Sequence, residues 1–450
     1  MSALQGIYDR IPVWVQNIFV TGKGIVNYYH RYGKEYWRYR EYFEEFDKLT
    51  VEQKCEAQLS MLKEFLLFAV ENSKFYARLY EDVDLAGIKT IDDLKRLPIV
   101  DKEMLRENID DVVTTHDNCT HSNTGGTTGK SLTVVLRNDD SKKRMAMLDH
   151  FKSRVGFEHL KMRRATFNGK HIVPPRQKSK IFWRYNWTCK QMIFSSFHIT
   201  EENIKYYVEE LNRFKPHAID GFFTSMCDVA NYMKRHGLKA KFRPVAIFPT
   251  SETLTDEGRT LLEEVFGCPV YDQYASSEGA PFVTEWPDRK KRMELSTGVF
   301  EHLDGTNEIL VTSFTTHGTP LIRYRIGDAM EWDEDGLQDD ISPVVKSIQG
   351  RKLDFLYSAE GAKINAGNVS NLLKYLPNVV IRAQFVQETM DEVTALLEVD
   401  KSKFKPEHEN ALRKEFMQKF GPNTRFVIKI VDSIPRERSG KFRMIKNNVK

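Results

Sequence analysis

The sequence predicts an α/β protein, with a large N-terminal α/β domain of mainly parallel sheets over residues 1–349 and a small, mobile C-terminal α+β domain over residues 350–450. Three observations carry this. Between about residues 216 and 276, short apolar runs (Ala218-Ile219, Val245 to Phe248, Val270-Tyr271) alternate with helical stretches (Ser225 to His236, Glu257 to Phe266), the rhythm of parallel strands covered on both faces. Beyond Gly350 the pattern changes to strand, helix, two strands, helix and strand, enough for a separate small core. A chain of 450 residues is also too long for one core.

The remaining elements follow in order. Ile11 to Val20 is the most apolar early stretch, but it is about half the length of a bilayer span and contains Gln16 and Asn17. No membrane span and no signal peptide is therefore expected. Trp14, Ile18 and Phe19 share a helical face; surface docking is open, and core packing is the expected role. From residue 25 to 48, Tyr28, Tyr32, Tyr36, Trp37, Phe43 and Phe46 interleave with charge. Five acidic residues between Glu35 and Asp47 favour helix packing over single-stranded nucleic acid. Thr50 and Gln53 make a capping box for an amphipathic helix through Leu59, Leu62, Leu66 and Ala69. Leu97-Pro98 stops a helix and Asp101 caps another.

A polar loop, Thr114 to His121, leads to Ser122 to Leu132, and a strand opens at Leu132. Ser141 to Arg154 is a basic helix, and Thr200 caps a helix whose Ile204, Tyr207, Val208, Leu211 and Phe214 keep one face apolar. Glu308 to Phe314 and Leu321 to Ile326 read as strands, followed by an acidic turn at Asp333 to Asp340. In the last hundred residues, strand Asp354 to Tyr357, helix Asn368 to Tyr375, strands Val379 to Gln387 and Thr394 to Asp400, helix Pro406 to Phe420 and strand Arg425 to Ile430 complete the pattern.

Composition excludes several classes. The net charge of +4 comes from 67 basic and 63 acidic residues, a balance with no global field for nucleic acid. Five widely spaced cysteines without a Cys-x-x-Cys pair point to a reduced, cytoplasmic compartment.

The chemistry concentrates in Thr124, Gly125, Gly126, Thr127, Thr128, Gly129 and Lys130. Glycines let backbone N–H groups approach an anion, threonine hydroxyls add donors and Lys130 adds charge, which together suit a polyphosphate. Walker spacing fails by one residue, because its first glycine would fall on Thr124. The rival reading of this stretch alone is a flexible Gly/Thr surface turn.

Thr124 to Lys130 is similar to the Thr-Ser-Gly-Thr-Thr-Gly-Lys loop of the adenylate-forming enzymes, with Gly125 in place of the serine. Tyr274-Ala275-Ser276-Ser277-Glu278 resembles their Tyr-Gly-x-Thr-Glu, and Arg323 to Asp328 their Tyr-x-Thr-Gly-Asp. Gly350-Arg351-Lys352-Leu353-Asp354 resembles the interdomain Gly-Arg-x-Asp-Asp, and Arg438-Ser439-Gly440-Lys441 the C-terminal Arg-x-x-Gly-Lys. Ser195 to His198 is a weaker match to the aromatic/His segment beside the acyl pocket. The finer resemblance, over about residues 50 to 445, is to the phenylacetate-CoA ligase branch and its capsular-polysaccharide-biosynthesis relatives.

The resemblance implies ATP-dependent activation of a small-molecule carboxylic acid as its acyl-adenylate, then transfer to coenzyme A. It assigns the polyphosphate to Thr124–Lys130, Mg²⁺ to Glu278, the nucleotide to Ser277, and the ribose to Asp328 and Arg351. Lys441 would reach the substrate carboxylate and the α-phosphate, and His198 would stand beside the acyl pocket. Phe222, Phe223, Phe248 and Tyr274 are pocket candidates, chosen as aromatics near strand ends. Each has a plainer alternative: Glu278 a solvated carboxylate, Asp328 a Gly-Asp turn, Arg351 and Lys441 surface charge, His198 a structural histidine. Leu353 departs from the pattern at the hinge, and Ala275 beside the nucleotide. Two further readings stay open: transfer to a sugar or carrier in surface-polysaccharide assembly, and a non-catalytic nucleotide-binding protein.

Overall fold

The computed structural model describes residues 3–123, 132–175, 177, 179–332, 341–349, 355–373, 376, 379–434 and 444–449. Two sheets form the bulk of the N-terminal region. The first has five strands in the order Trp183–Asn186, Gln191–Ser195, Arg164–Asn168, Ala218–Phe222 and Ala246–Thr250, parallel except for its first edge strand. Helices cover both faces, so successive residues of its inner strands are buried on opposite sides. Ile219 and Ile247 pack under helices Ile204–Phe214, Phe223–Arg235 and Asp256–Phe266. Ala218, Ala246 and Phe248 pack under helices Lys34–Asp47 and Asn138–Ser153.

The second sheet is antiparallel throughout, seven strands in the order Gly298–His302, Glu308–Ser313, Tyr324–Trp332, Val344–Gln349, Lys291–Met293, Val283–Glu285 and Gln273–Tyr274. Its core includes Leu62, Phe65, Leu66 and Ala69 of helix Val51–Asn72, which opens on the Thr50/Gln53 capping box. The parallel part of the α/β pattern is thus carried by the smaller sheet; among the described residues the strands of the larger one are joined by short connections without crossover helices, which suit antiparallel pairing.

In the C-terminal region, strands Arg425–Ile430, Glu392–Val399, Val380–Thr389 and Ile445–Asn447 make a four-stranded sheet packed by helix Pro406–Phe420. Its core takes in one residue from far earlier, Phe197. The seam to the rest of the protein is polar: Lys363 pairs with Asp228 at 2.6 Å, and Asn365 Nδ2 donates to Glu252 Oε1 at 2.6 Å. The expected boundary at residue 350 falls outside the described residues.

Several elements differ from expectation. The loop Thr114 to His121 contains a strand, Cys119–Asn123, paired antiparallel with Thr133–Arg137, and no apolar alternation announces it because its residues are Cys-Thr-His-Ser-Asn. The strand expected at Leu321 begins at Tyr324 and runs to Trp332, while Val270 makes only an isolated bridge to Ile247. The aromatic stretch from residue 25 to 48 is two helices, Val13–Arg31 and Lys34–Asp47, split at Gly33, whose φ of 140° interrupts the helix.

Candidate functional site

The site is built at one end of the antiparallel sheet. After strand Gln273–Tyr274 the chain turns through Ser276 to Ala280, and Ser276 Oγ accepts from the N–H groups of Gly279 and Ala280 at 3.2 and 3.0 Å. Gly279 stands at φ 110°, and a Cβ there would meet Thr316 at 2.4 Å, so the turn requires glycine. This turn presents Glu278, to which the exposed Ser277 donates through Oγ at 3.5 Å.

Two side chains brace the turn from behind. Arg144, on helix Asn138–Ser153, donates through Nη1 to Gly279 O, Ala280 O and Thr315 Oγ1 at 2.9, 2.9 and 2.8 Å. Ser313 Oγ donates to Gly279 O at 2.6 Å. Sequence reasoning missed Arg144; the helix reads as basic, but nothing in its pattern marks one arginine as turned inward.

Asp328 comes to the same place from strand Tyr324–Trp332. Tyr274 OH donates to Asp328 Oδ2 at 2.9 Å, so the tyrosine and the aspartate of two separate motifs are joined directly. Burial raises the phenol pKa of Tyr324 far above the ordinary value, and the charges of Glu278, Asp101 and, more weakly, Asp328 add to the shift. Arg323, next to it, is structural, with Nε on Glu301 Oε1 at 3.0 Å and Nη1 on Leu97 O at 2.5 Å.

The Gly/Thr stretch 124–131 lies outside the described residues, but its two ends are fixed. They are the paired strands Cys119–Asn123 and Thr133–Arg137, in register from Cys119↔Arg137 to Asn123↔Thr133. Val135 N–H donates to Thr319 Oγ1 at 2.8 Å, and Thr114 Oγ1 donates to His317 O at 2.6 Å. The segment from Ser313 to Thr319 therefore touches both the Glu278 turn and the hairpin that carries this stretch. Arg351 and Lys441 also lie outside the described residues.

Other candidates stand elsewhere. His198 has both ring nitrogens engaged, Nδ1 with Ser195 Oγ at 2.8 Å and Nε2 with Pro174 O at 3.2 Å, and its ring stacks on Phe182. Burial pushes it down to about 4, so it is a neutral packing histidine at ordinary pH. Among the described residues, no hydrogen bond or ring contact joins it to Glu278 or Asp328. Phe248 is not a pocket wall: it is wholly buried and packs on Phe151 and Phe157, because strand alternation turns it under the helices. Phe223 is also core, packed where a Cβ on Gly258 would strike its ring. Phe222 is partly buried at its strand end, and Tyr274 alone of the four touches the Asp328 cluster.

A magnesium ion bound mainly through phosphates needs only one or two protein carboxylates, which Glu278 with Asp328 nearby can supply. Among the described residues no cluster of three or more His, Cys, Asp and Glu side chains is arranged to hold a metal by protein alone.

Comparison with known proteins gives the setting. The model of the CapK C-terminal domain matches residues 356–448. Indoleacetate–lysine synthetase of Pseudomonas savastanoi is 30% identical over 128 residues, 28% of this chain and 32% of that one. Among solved structures, 2-hydroxyisobutyryl-CoA ligase in the postadenylation state with R3-HIB-AMP matches with a TM-score of 0.55 at 16% identity, covering 89% of this chain and 91% of that one. The same enzyme with 2-HIB-AMP and CoA in the thioesterification state matches with a TM-score of 0.55 at 18% identity, covering 90% and 92%. These likenesses establish the fold, which the chain shares with 2-hydroxyisobutyryl-CoA ligase. Protein CapK of Staphylococcus aureus is 37% identical over 456 residues, covering 99% of this chain and the whole of that one. The chain belongs to the CapK family.

Proposed function

We propose that this protein is an ATP-dependent, adenylate-forming ligase. A carboxylate oxygen of the substrate attacks the α-phosphorus of ATP, the bond to the β-phosphate oxygen breaks, and acyl-adenylate and pyrophosphate form. The acyl group then passes to an acceptor, coenzyme A in the first reading, with AMP released. The observation that supports this is the Tyr274–Asp328 hydrogen bond in the sheet that also carries the Glu278 turn, a turn that the segment Ser313 to Thr319 links to the paired strands flanking residues 124–131.

The chain's own residues divide the work. Asp328 suits the ribose hydroxyls, which a carboxylate can accept in pairs, while Tyr274 fixes its rotamer. Thr124 to Lys130 would bind the polyphosphate through N–H groups, hydroxyls and one ammonium, and Ser277 would face the nucleotide. Glu278 would hold Mg²⁺, which when bound shields the like charges of nucleotide and acid. Arg351 would support the ribose, and Lys441 would neutralise charge between the acid and the α-phosphate as a compact cation. Such a reaction belongs in a reduced, cytoplasmic compartment, and the division at about residue 350 would let the C-terminal region move between the two half-reactions.

A second reading changes only the acceptor. It is favoured by CapK family membership and by the local similarity to a synthetase named for joining indoleacetate to lysine, and it passes the acyl group to an amine, sugar or carrier. The test is pyrophosphate release from Mg-ATP across aryl-acetic, benzoic, fatty and amino acids, with and without CoA, against a Lys441→Ala background. Turnover with one acid that yields its CoA thioester supports the first reading. Pyrophosphate release that never yields a thioester supports the second. No release above background with any acid overturns both.

A further inference from the structure

The helix Val13–Arg31 is mounted inside out. Three of its uncharged polar side chains, Gln16, Asn17 and Thr21, face the protein, where they cap an otherwise open sheet edge. Gln16 Oε1 accepts from Arg184 Nε at 2.6 Å, and Asn17 Oδ1 accepts from the N–H of Tyr185 at 3.0 Å. Thr21 Oγ1 donates to Tyr185 O at 3.4 Å, and Gly24 lies against Asn186 where a Cβ would collide.

The opposite face is apolar and open. At 100° per residue, Trp14, Ile18, Ile25 and Tyr29 form one row with Phe19 and Val26 beside it, and all six are between 46% and 75% exposed. The sequence expectation of core packing for Trp14, Ile18 and Phe19 is overturned here, because the hydrogen-bonding groups of the same helix are consumed by strand Trp183–Asn186. Exposed aromatics continue the surface. Trp187 hangs beside Thr21, to which its N–H donates at 3.3 Å, and Trp37 stands on the following helix. Trp14 on this face, Trp187 beside the same helix and Trp37 on the next helix are each more than half exposed. A helix at a water surface has the reverse arrangement.

Charge decides what covers it. Between residues 3 and 34 the basic side chains Arg10, Lys23, Arg31 and Lys34 are all exposed, and Asp9 is the one acidic residue. A two-fold contact between copies would bring these cations together with little to offset them, whereas anionic headgroups would neutralise them. No described helix is long and apolar enough to cross a membrane, which fits a helix lying in the interface plane. Exposed tryptophan and tyrosine suit that depth, with ring in the acyl boundary and polar edge among headgroups. We propose that the outward face of Val13–Arg31 docks on an anionic bilayer surface and so holds the ligase site at a membrane.

The experiment is flotation of the full chain with vesicles of phosphatidylglycerol and phosphatidylcholine, against phosphatidylcholine alone. Wild-type protein should float with the anionic vesicles, with affinity about tenfold lower for the zwitterionic ones. Trp14→Glu/Ile18→Glu should weaken binding about a hundredfold, since two buried side chains are lost. Lys23→Glu/Arg31→Glu should bring anionic binding down to the zwitterionic level with its apolar face intact. All four positions are exposed, and an unchanged thermal melt checks the fold of each variant. The proposal is overturned if wild-type protein stays with the unbound fraction on anionic vesicles, or if Trp14→Glu/Ile18→Glu floats as wild type does. It is equally overturned if light scattering shows a dimer that this variant dissolves while no vesicle binding occurs, which would identify a second copy as the occupant.

Discussion

Arg144 and Arg154 belong to one helix and are used in opposite ways. Arg154, just past the end of Asn138–Ser153, is gripped by two carboxylates: Nε and Nη2 donate to Asp47, and Nη1 and Nη2 to Glu294. Its guanidinium also lies over Trp286, 4.0 Å from the ring centroid. Burial opposes its charge, but the two carboxylates outweigh burial and hold its pKa above the ordinary value. The hydrogen bonds of Arg144 go instead to carbonyl and hydroxyl oxygens, and burial brings its pKa down to about 10. One cation is cancelled on the spot and ties helices to a sheet. The other has no carboxylate hydrogen-bonded to it among the described residues, although Asp140 acts on it through space, and it stands behind the turn that carries Glu278, where an anionic ligand is expected. What surrounds a buried charge, more than the charge itself, separates scaffold from site.

The largest expected effect tests the scaffold half of this contrast. Arg154→Ala leaves Asp47 and Glu294 without their shared cation and should lower unfolding free energy by about 3–5 kcal/mol in denaturant titration. The folded remainder should keep the wild-type KM for ATP. A variant of wild-type stability would show that the clamp is worth far less than its geometry.

Glu278→Gln tests the site half. The side chain keeps its shape and loses its charge, so pyrophosphate release should fall about a hundredfold while stability changes by less than about 1 kcal/mol. Equal losses in stability and activity would move Glu278 to the scaffold class.

The clamp also has a pH signature. Burial works against the Asp47 charge, but bonds from His150 and Arg154 prevail and hold its pKa at about 2, against an ordinary 3.8. A carboxylate depressed in this way stabilises the fold above its ordinary value, and the contribution disappears as pH falls from about 4 to 2. It should amount to about 2 kcal/mol in acid unfolding. Asp47→Asn should flatten that part of the profile, and an unchanged profile would assign acid sensitivity to other groups.

The contrast was half legible beforehand. Helices with strong local signals came through closely: Thr50/Gln53 caps Val51–Asn72, Asp101 caps Lys102–Glu107, and Pro406–Phe420 begins at its proline. Tyr274 and Asp328 each sit in a motif with recognisable spacing, but the hydrogen bond that joins them was not expected from the sequence. What failed depended on direction. Phe248 and Tyr274 are both aromatics near strand ends, yet alternation turns Phe248 into the core and leaves Tyr274 against Asp328. Amphipathicity failed likewise, since helix Ile204–Phe214 buries its apolar face while Val13–Arg31 exposes its own. Periodicity reports that a helix has two faces; which one is turned inward depends on the polar needs of its neighbour. Arg144 was missed for a related reason, because its partners are backbone oxygens far along the chain, and those leave no mark in composition or spacing.

Arg144→Lys gives the smallest and most discriminating change. Lysine keeps the positive charge but replaces a planar fork, whose Nη1 serves Gly279 O, Ala280 O and Thr315 Oγ1 and whose Nη2 serves Ser276 O, with one ammonium that loses the second arm and must reach the first three from a different point. If Arg144 matters chiefly through its field, pyrophosphate release at saturating ATP should fall only about threefold, with stability down by about 1 kcal/mol from the weakened bonds. If it matters chiefly by shaping the turn, the loss should approach that of Glu278→Gln, because a displaced Gly279 carries Glu278 with it. Raising ionic strength separates the two further: a field effect weakens with screening, whereas a misplaced turn does not respond to salt.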